Sequence, residues 1–298
     1  MNSNFAIHLE HKSFISISGI GASNFLQNII SNDIHLVNKS STIYSCLLSP
    51  QGKFIYDFMI ISLSKDSYLI QCNRSIVDNF ISKLNIYKLR SPVIIKNVDE
   101  HYKSYFFNVA DKIISSEFNT TKGFTIRNDY GFFFNDPRLT ELGIHGVIFK
   151  EKCNDLIKNL NLSLMNINIF AKIYHNAGLT DLVPVDTLSN FFCLELNFKE
   201  LNGVSFKKGC FVGQENTARM NLKNKIRKRI FPIQIIEGSI EIDENIILDE
   251  KKIGKIISLS PCCFAIVNIE EYKNCLDKTI QLKNSEIKIF KPYWLNLN

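Results

Sequence analysis

The chain has 298 residues, of which 45% are hydrophobic and 21% charged. It is therefore long enough for two or three domains with buried cores, and this balance excludes an intrinsically disordered protein. The formal net charge of +6 permits an anionic partner without requiring one. No apolar run has the length of a membrane-spanning helix, and the first residues show no secretory signal. We therefore expect a cytoplasmic protein with no membrane partner.

The first part of the chain alternates strand patterns with amphipathic helix patterns. A strand pattern covers residues 5–18, and Ser23 is a candidate N-cap for a helix that runs through Ile30. A Pro-Gln-Gly turn at 50–52 joins two further strand patterns. The elements predicted from there to residue 92 are strands at 43–48, 54–63 and 67–72 and a helix at 75–86.

The middle of the chain, residues 92–150, is rich in short β patterns, and a helix pattern follows at 150–159. Strands and helices in alternating groups predict an α+β fold and not a doubly wound one. From residue 229 onward only short strand patterns occur, which predicts a small β-barrel or sandwich. We place the domain boundary at the basic stretch Lys223–Arg229, so that the regions are 1–222 and 223–298.

The eight cysteines and six histidines form no recognisable metal motif. No two cysteines have C-x-x-C spacing, and the adjacent Cys262 and Cys263 are poorly placed to ligate one ion. Only His8 and His11 are close in sequence, and surface exposure is the favoured interpretation of that pair. The sequence therefore predicts no metal site, and a chain of this size needs no disulfide cross-links.

The most distinctive motif is Lys-Gly-Cys-Phe-Val-Gly-Gln-Glu, from Lys208 to Glu215. Its two glycines permit backbone angles and close approaches that a side chain would block. The run that follows, to Met220, predicts a helical turn, so that Cys210 lies just before a helix N-terminus. There the helix dipole, Lys208 and the preceding Lys207 would favour a thiolate. The alternative is a buried, inert cysteine in a tight turn, as most intracellular cysteines are small hydrophobes.

This motif, with Thr217-Ala218-Arg219 behind it, resembles the signature of the YgfZ family. These are folate-binding relatives of the glycine cleavage T-protein, involved in the assembly or repair of iron–sulfur clusters. The similarity spans most of residues 14–215. The other segments that carry it are Leu194-Glu195-Leu196-Asn197 with 201–206, residues 19–28 with Asn32-Asp33-Ile34, and residues 44–53 with Asp57.

The resemblance implies two ferredoxin-like α+β domains, split near 92–100, and a C-terminal β-barrel around a central opening that binds a tetrahydrofolate. It implies that Glu195 contacts folate, whose pterin amino group and ring N–H can donate paired hydrogen bonds to a carboxylate. An outward-facing strand glutamate is the alternative. The remaining implied folate residues are Asp57, Gln214, Glu215 and Arg219, and the candidates for chemistry are Cys210 and Lys208.

Two departures from the T-protein pattern bear on the reaction. T-proteins carry paired acidic residues where this chain has Tyr56-Asp57, and an acidic residue where it has Cys210. Both departures favour an accessory factor for iron–sulfur proteins over a true aminomethyltransferase. The expected partners are cluster-assembly proteins or iron–sulfur client enzymes.

A third class, a non-catalytic RNA-linked protein, is suggested by the basic residues of Lys223–Arg229 and by the family's association with tRNA-modifying cluster enzymes. The run lacks interleaved aromatic residues, so it does not indicate a nucleic-acid platform. A solvated strand or linker is the ordinary interpretation, and contact with phosphate or a folate polyglutamate tail is the alternative.

Overall fold

The computed structural model describes residues 4–108, 121–223, 226–273, 275 and 278–297. Within these ranges the chain forms three β-sheets flanked by short helices. Strands and helices are numbered separately in chain order. The helices are α1 (Ala22–Ile29), α2 (Val77–Lys88), α3 (Cys153–Asn159), α4 (Ile167–Asn176), α5 (Val185–Leu188), α6 (Gln214–Leu222) and α7 (Ile269–Tyr272).

One sheet is built mainly from the first hundred residues and is fully antiparallel. Its strands are β2 (Lys12–Ser18), β3 (Ile43–Leu48), β4 (Phe54–Ser64), β5 (Ser67–Asn73) and β6 (Ile94–Asn97). They lie in the order β3-β4-β5-β2-β6. Every residue of β3 is buried, because its apolar and small side chains pack on both faces.

The second sheet is mixed, since β1 pairs in parallel with β11 while its other neighbours are antiparallel. The strands lie in the order β11-β1-β7-β10-β9-β8. Their bounds are β1 (Phe5–His8), β7 (Tyr102–Asn108), β8 (Thr125–Asn128), β9 (Gly131–Asn135), β10 (Ile144–Phe149) and β11 (Ser163–Leu164).

The third sheet is C-terminal and nearly closes into a barrel. Its strands are β12 (Lys228–Gly238), β13 (Asn245–Leu248), β14 (Lys251–Ser258), β15 (Phe264–Asn268), β16 (Thr279–Gln281) and β17 (Ser285–Ile289). Their order is β13-β14-β15-β12-β17-β16, and the edge strands β13 and β16 contact each other. The long β12 pairs with β15 along its first half and with β17 along its second half.

These observations confirm the predicted α+β class and a nearly closed, barrel-like C-terminal sheet, although the short helix α7 interrupts a region predicted to contain strands only. Two local predictions were wrong. The strand pattern at 5–18 divides into β1 and β2, which belong to different sheets, because a turn after Leu9 redirects the chain. Helix α1 begins at Ala22 with Gly21 as its N-cap, so Ser23 lies inside the helix.

No helix in the described ranges is both long and apolar enough to cross a membrane.

Candidate functional site

Lys208 links the signature motif, Lys208 to Glu215, to the C-terminal end of helix α1. Its Nζ donates hydrogen bonds to the backbone carbonyl oxygens of Gln27, Ile30 and Asn32 at 2.6, 2.7 and 2.9 Å. Carbonyls at a helix C-terminus lack helical partners and carry the negative end of the helix dipole, so they suit an ammonium group. Burial lowers the pKa of Lys208 to about 8. The contacts give Lys208 a positioning role, and its part in chemistry stays a prediction.

The backbone conformation requires a glycine at only one of the two glycine positions of the motif. Gly213 has φ of 80°, and a Cβ there would lie 2.3 Å from the carbonyl oxygen of Ser49. Gly209 lies in open space, since a Cβ there would meet no atom within 4 Å. Next to Gly213, Asn216 donates a hydrogen bond to the carbonyl oxygen of Gln51 at 2.8 Å. The motif therefore packs on the β3–β4 turn through Gly213 and not through Gly209.

Cys210 is the only exposed cysteine among the eight. It lies between the two anchors just described, shortly before α6 begins at Gln214, which confirms the predicted helix. The Gln214 side chain accepts a hydrogen bond from the Phe211 N–H at 3.2 Å and so fixes the loop from the helix side. A buried, inert thiol does not match this geometry. The structure presents the Cys210 thiol to solvent from a loop held on both sides.

Glu215 and Arg219 lie on the outer surface of α6. Their side chains are 88% and 60% exposed and approach each other at 4.0 Å across one helical turn. Neither has a contact with Glu195 or Asp57 among the described residues. The predicted folate role of these two residues stays a prediction that this geometry does not favour.

Glu195 lies in a turn and not in the strand that sequence alternation allowed. Its carboxylate Oε2 accepts a hydrogen bond from the Phe192 N–H at 2.9 Å, and its carbonyl oxygen accepts one from the Ile230 N–H at 2.9 Å. The other carboxylate oxygen, Oε1, meets no donor in the described part of the chain. Glu195 is half-buried and keeps one oxygen free for a ligand.

Arg229 is buried and is not part of a solvated basic run. Its guanidinium forms a bidentate pair with Glu200 at 2.6 and 2.7 Å and also donates to the Asn197 side chain at 3.0 Å. Its Nε is buried without a partner among the described residues. Arg229 thus joins β12 to the turn that holds Glu195. The exposed members of the basic run in the described ranges are Lys223, Arg227 and Lys228, and Lys225 lies outside those ranges.

Asp57 lies on β4 and accepts a hydrogen bond from the Tyr44 hydroxyl at 2.8 Å. Burial raises the pKa of Asp57, against the lowering effect of Lys12. The Tyr44 ring stacks on Phe198, with 5.0 Å between ring centroids, and the Arg138 guanidinium lies 4.9 Å from its centre. Asp57 therefore borders a larger group of buried charges.

We call that group the buried charge cluster, and its members are Lys12, Asp136, Arg138, His145, Tyr174 and Asp181. Arg138 lies at its centre, 2.8 Å from Asp136 and 2.5 Å from Asp181. Although burial raises the pKa of both carboxyls, the adjacent Arg138 charge holds each of them well below its usual range.

The rest of the buried charge cluster extends from these two carboxylates. Lys12 lies 3.2 Å from Asp181. The Tyr174 hydroxyl donates to Asp136 at 3.1 Å and lies 2.5 Å from His145 Nε2. The sequence analysis missed this cluster, because nothing in the sequence links such widely separated residues. Its charges satisfy one another, which is what burial of charge requires.

The geometry allows part of the predicted folate site. The Phe54 N–H donates to the Phe191 carbonyl oxygen at 2.9 Å, so the strand that holds Asp57 packs against the turn that holds Glu195. Each of the two carboxylates has one oxygen without a described donor. They fit a ligand that donates N–H groups, as a pterin does. Within the described ranges, no three His, Cys, Asp or Glu side chains are placed to hold a metal ion.

Comparison with known proteins places these features in context. The family described as the GCVT N-terminal domain matches residues 5–106. In structure, the chain is similar to the glycine cleavage system aminomethyltransferase T from Bartonella henselae. The TM-score is 0.78 at 11% identity, over 98% of this chain and 86% of the other. At that identity the likeness shows a T-protein-like fold alone.

In sequence, the chain is similar to mitochondrial iron–sulfur cluster assembly factors named IBA57. The Dictyostelium discoideum homolog is 27% identical over 81% of this chain, and the mouse and human proteins are 26% and 25% identical over 76% and 77%. The chain spans 66%, 65% and 66% of the lengths of these relatives.

These relatives correct two expectations. They are IBA57 factors, so the resemblance is not specifically to YgfZ. The expected cytoplasmic location is wrong on this comparison, since the names of these three relatives place them in mitochondria. The chain thus has a T-protein-like fold whose residues 5–106 match the GCVT N-terminal domain, and the curated relatives it is similar to are iron–sulfur cluster assembly factors of the IBA57 type.

Proposed function

We propose that this protein is an accessory factor in the assembly or repair of iron–sulfur proteins and that it binds a reduced folate. One observation carries the proposal: the chain is similar to named cluster assembly factors over about four-fifths of its length. Cys210, the one exposed thiol, is the residue on which we base its chemistry. Cluster-assembly proteins or iron–sulfur client enzymes are the partners. The division into two ferredoxin-like domains and a barrel from residue 223 belongs to the same proposal.

Cys210 is the candidate functional thiol. Lys208 and Gly213 fix the loop on either side of it, so the thiol position is set by the scaffold and not by a mobile surface. An accessible thiol can act as a nucleophile or as a metal ligand once it is deprotonated. Lys208 positions the loop through its bonds to the α1 end, and a direct part in the chemistry of the thiol stays a prediction.

Glu195 and Asp57 would hold the pterin end of a tetrahydrofolate through their free carboxylate oxygens. A bound tetrahydrofolate would supply a ring nitrogen that accepts a one-carbon unit. The alternative function, aminomethyl transfer to that nitrogen, draws support from the fold likeness. It is disfavoured by Tyr56 and Cys210, which stand where T-proteins carry acidic residues.

The deciding experiment compares two activities in cells that lack the protein. We expect loss of an iron–sulfur enzyme activity and intact glycine cleavage, with rescue by the native chain but not by Cys210→Ser. Serine is close in size to cysteine but ionises far less readily, so this variant tests the thiol and not the packing. The reverse pattern, lost glycine cleavage with intact cluster enzymes, would establish the alternative.

Folate binding is tested separately by calorimetry with a reduced folate. Glu195→Ala should weaken binding by about 2 kcal/mol, the usual value of a charge-assisted hydrogen bond. Glu151→Ala, at an exposed carboxylate just before α3, is the matched control and should bind like the native chain. If the native protein bound no reduced folate, the cofactor would be withdrawn and the accessory role would still stand.

A further inference from the structure

An open cleft of about 770 Å³ lies beside the loop that carries Cys210. We call it the signature cleft, because its wall includes the residues that lead into the signature motif. The residues on which its chemistry depends are His35, Leu36, Lys122, Pro137, Phe206 and Lys207. Among the described residues, none that lines the cleft is Asp or Glu.

The charges of the two lysines in the signature cleft are only partly compensated. The Glu141 carboxylate accepts a hydrogen bond from the Tyr293 hydroxyl and interacts with Lys122 from beyond ion-pair distance. Lys122 and Lys207 have no carboxylate at ion-pair distance in the described part of the chain, whereas Lys12, Lys251 and Lys255 each pair with one. Asp33, the acidic residue near the rim, already accepts hydrogen bonds from the Gln27 side chain and from His35. The cleft is therefore electropositive within a chain whose net charge is +6.

The signature cleft also exposes apolar surface. The Leu36 side chain is 53% exposed and that of Phe206 is 40% exposed. Large apolar side chains left open beside a polar rim mark interaction surfaces in soluble proteins. Phe206 and Lys207 are adjacent in sequence, so apolar and positive groups meet on the wall that leads to Cys210.

We propose that the signature cleft binds an acidic segment of a partner protein. Carboxylates of that segment pair with Lys122 and Lys207, and an apolar side chain of the segment covers Phe206 and Leu36. The segment would thereby place the partner beside Cys210, a consequence that rests on the proposed accessory function. Such a segment complements the described lining of the cleft, which combines positive charge with exposed apolar side chains and contains no acidic residue.

The lining favours a peptide over RNA. Single-stranded RNA is bound by stacking its bases on aromatic or arginine side chains. The described lining contains no arginine, and its Tyr44 ring already stacks on Phe198 inside the protein. In the described lining the exposed rings are those of Phe206 and His35, and the His35 ring nitrogen lies 2.9 Å from the Asp33 carboxylate. Two such rings are too few for a stacking platform.

The test uses the purified full chain and a short fluorescein-labelled peptide of glutamate and leucine, followed by fluorescence anisotropy. Combined Lys122→Glu and Lys207→Glu should weaken binding by about tenfold or more. Combined Lys65→Glu and Lys158→Glu is the matched control, because it makes the same charge change at exposed positions outside the cleft. We expect the control to bind within about twofold of the native chain.

Phe206→Ala should weaken the glutamate–leucine peptide but leave an all-glutamate peptide unchanged. Three results would overturn the proposal. The first is a native chain that shows no saturable peptide binding, and the second is a control pair that weakens binding as much as the cleft pair. The third is a single-stranded RNA that binds more tightly than the peptide and loses that binding in the Lys122→Glu, Lys207→Glu variant. The assay involves neither clusters nor folate. Its failure would therefore leave the accessory role standing, and failure of the complementation experiment would leave the peptide site standing.

Discussion

The buried charge cluster and the signature motif use positive side chains in opposite ways. In the cluster, Arg138 satisfies two carboxylates and is itself fully enclosed. In the motif, Lys208 satisfies three backbone carbonyls, and the thiol two residues later remains exposed. The first arrangement joins distant parts of the fold through charge, and the second holds one reactive group at the surface. Residues of the cluster should therefore govern stability, and Cys210 should govern function alone.

The largest effect on stability is expected at Arg138. Arg138→Met should lower the free energy of unfolding by about 3–5 kcal/mol, because it removes the guanidinium from two buried carboxylates, of which only Asp181 keeps a lysine partner, Lys12. Arg219→Met is the matched control, since Arg219 forms only an exposed pair on α6 and should change stability by less than about 1 kcal/mol. Urea denaturation at neutral pH measures both. Equal losses in the two variants would show that the cluster does not stabilise the fold.

The cluster should also make stability fall in acid. The pKa values of Asp136 and Asp181 lie below their usual range in the folded state, so the unfolded chain binds more protons as the pH falls below about 4. Stability is then fully present above that pH and is lost as the pH falls towards the folded pKa values. Asp181→Asn should flatten this dependence in denaturation curves, and Asp155→Asn, at an exposed position on α3, should not.

The two motif glycines offer a matched pair of substitutions. Gly213→Ala should cost about 2–3 kcal/mol, because alanine is strained at positive φ and its Cβ would meet the Ser49 carbonyl oxygen. Gly209→Ala should be neutral or stabilise by up to about 1 kcal/mol, since its position is open. Thermal unfolding of both variants checks the contrast. A destabilising Gly209→Ala would mean that the first glycine has a constraint the contacts do not reveal.

Lys207 and Lys208 form a second matched pair with a smaller expected difference. Lys208→Met should cost about 1.5–3 kcal/mol, the range for losing hydrogen bonds made by a charged group. Lys207→Met should leave the unfolding free energy almost unchanged, because Lys207 is exposed. Denaturation midpoints of the two proteins measure this difference. Similar values for both would indicate that the α1 carbonyls are satisfied equally well by water.

Local patterns predicted the elements whose pairing is also local. Strand β3 and the turn at 50–52 follow from an apolar run that ends at a Pro-Gln-Gly signal, and both occur as predicted. The division between β1 and β2 was not predictable in this way. Their partners, Tyr102–Asn108 for β1 and Ser67–Asn73 for β2, lie far along the chain, and strand alternation does not identify a partner.

The same distinction applies to the candidate site. Cys210 and its helix were identified from contiguous residues, and the structure shows that thiol exposed before α6. Arg229 was placed in a solvated basic run, and its ion pair with Glu200 exists only in the folded chain. The buried charge cluster combines Lys12, Arg138 and Asp181, three ordinary charged residues whose spacing carries no signal. The sequence analysis therefore could not predict ion pairs between residues that are far apart in the chain.

The smallest effect on stability, and the largest on reactivity, is expected at Cys210. Cys210→Ser should change the unfolding free energy by less than about 0.5 kcal/mol, as is usual for surface substitutions.

In the native protein at neutral pH, N-ethylmaleimide should label Cys210 first, because the thiolate is the nucleophile and access to it is needed. Burial raises the pKa of Cys72 and of Cys262 to about 12, and both thiols are enclosed.

Mass spectrometry should therefore find one early label in the native chain, none in Cys210→Ser, and eight in denaturant, the number of cysteines in the sequence. The Lys207→Met and Lys208→Met variants then separate access from charge. If neighbouring charge promotes the thiolate, Lys207→Met should slow labelling of Cys210, because the ammonium of Lys208 is already bound by three carbonyls. Unchanged labelling in Lys207→Met would mean that exposure alone makes Cys210 reactive. Labelling of Cys46 or Cys193 at the rate of Cys210 would contradict their burial, and with it the contrast between the rigid interior and the one presented thiol.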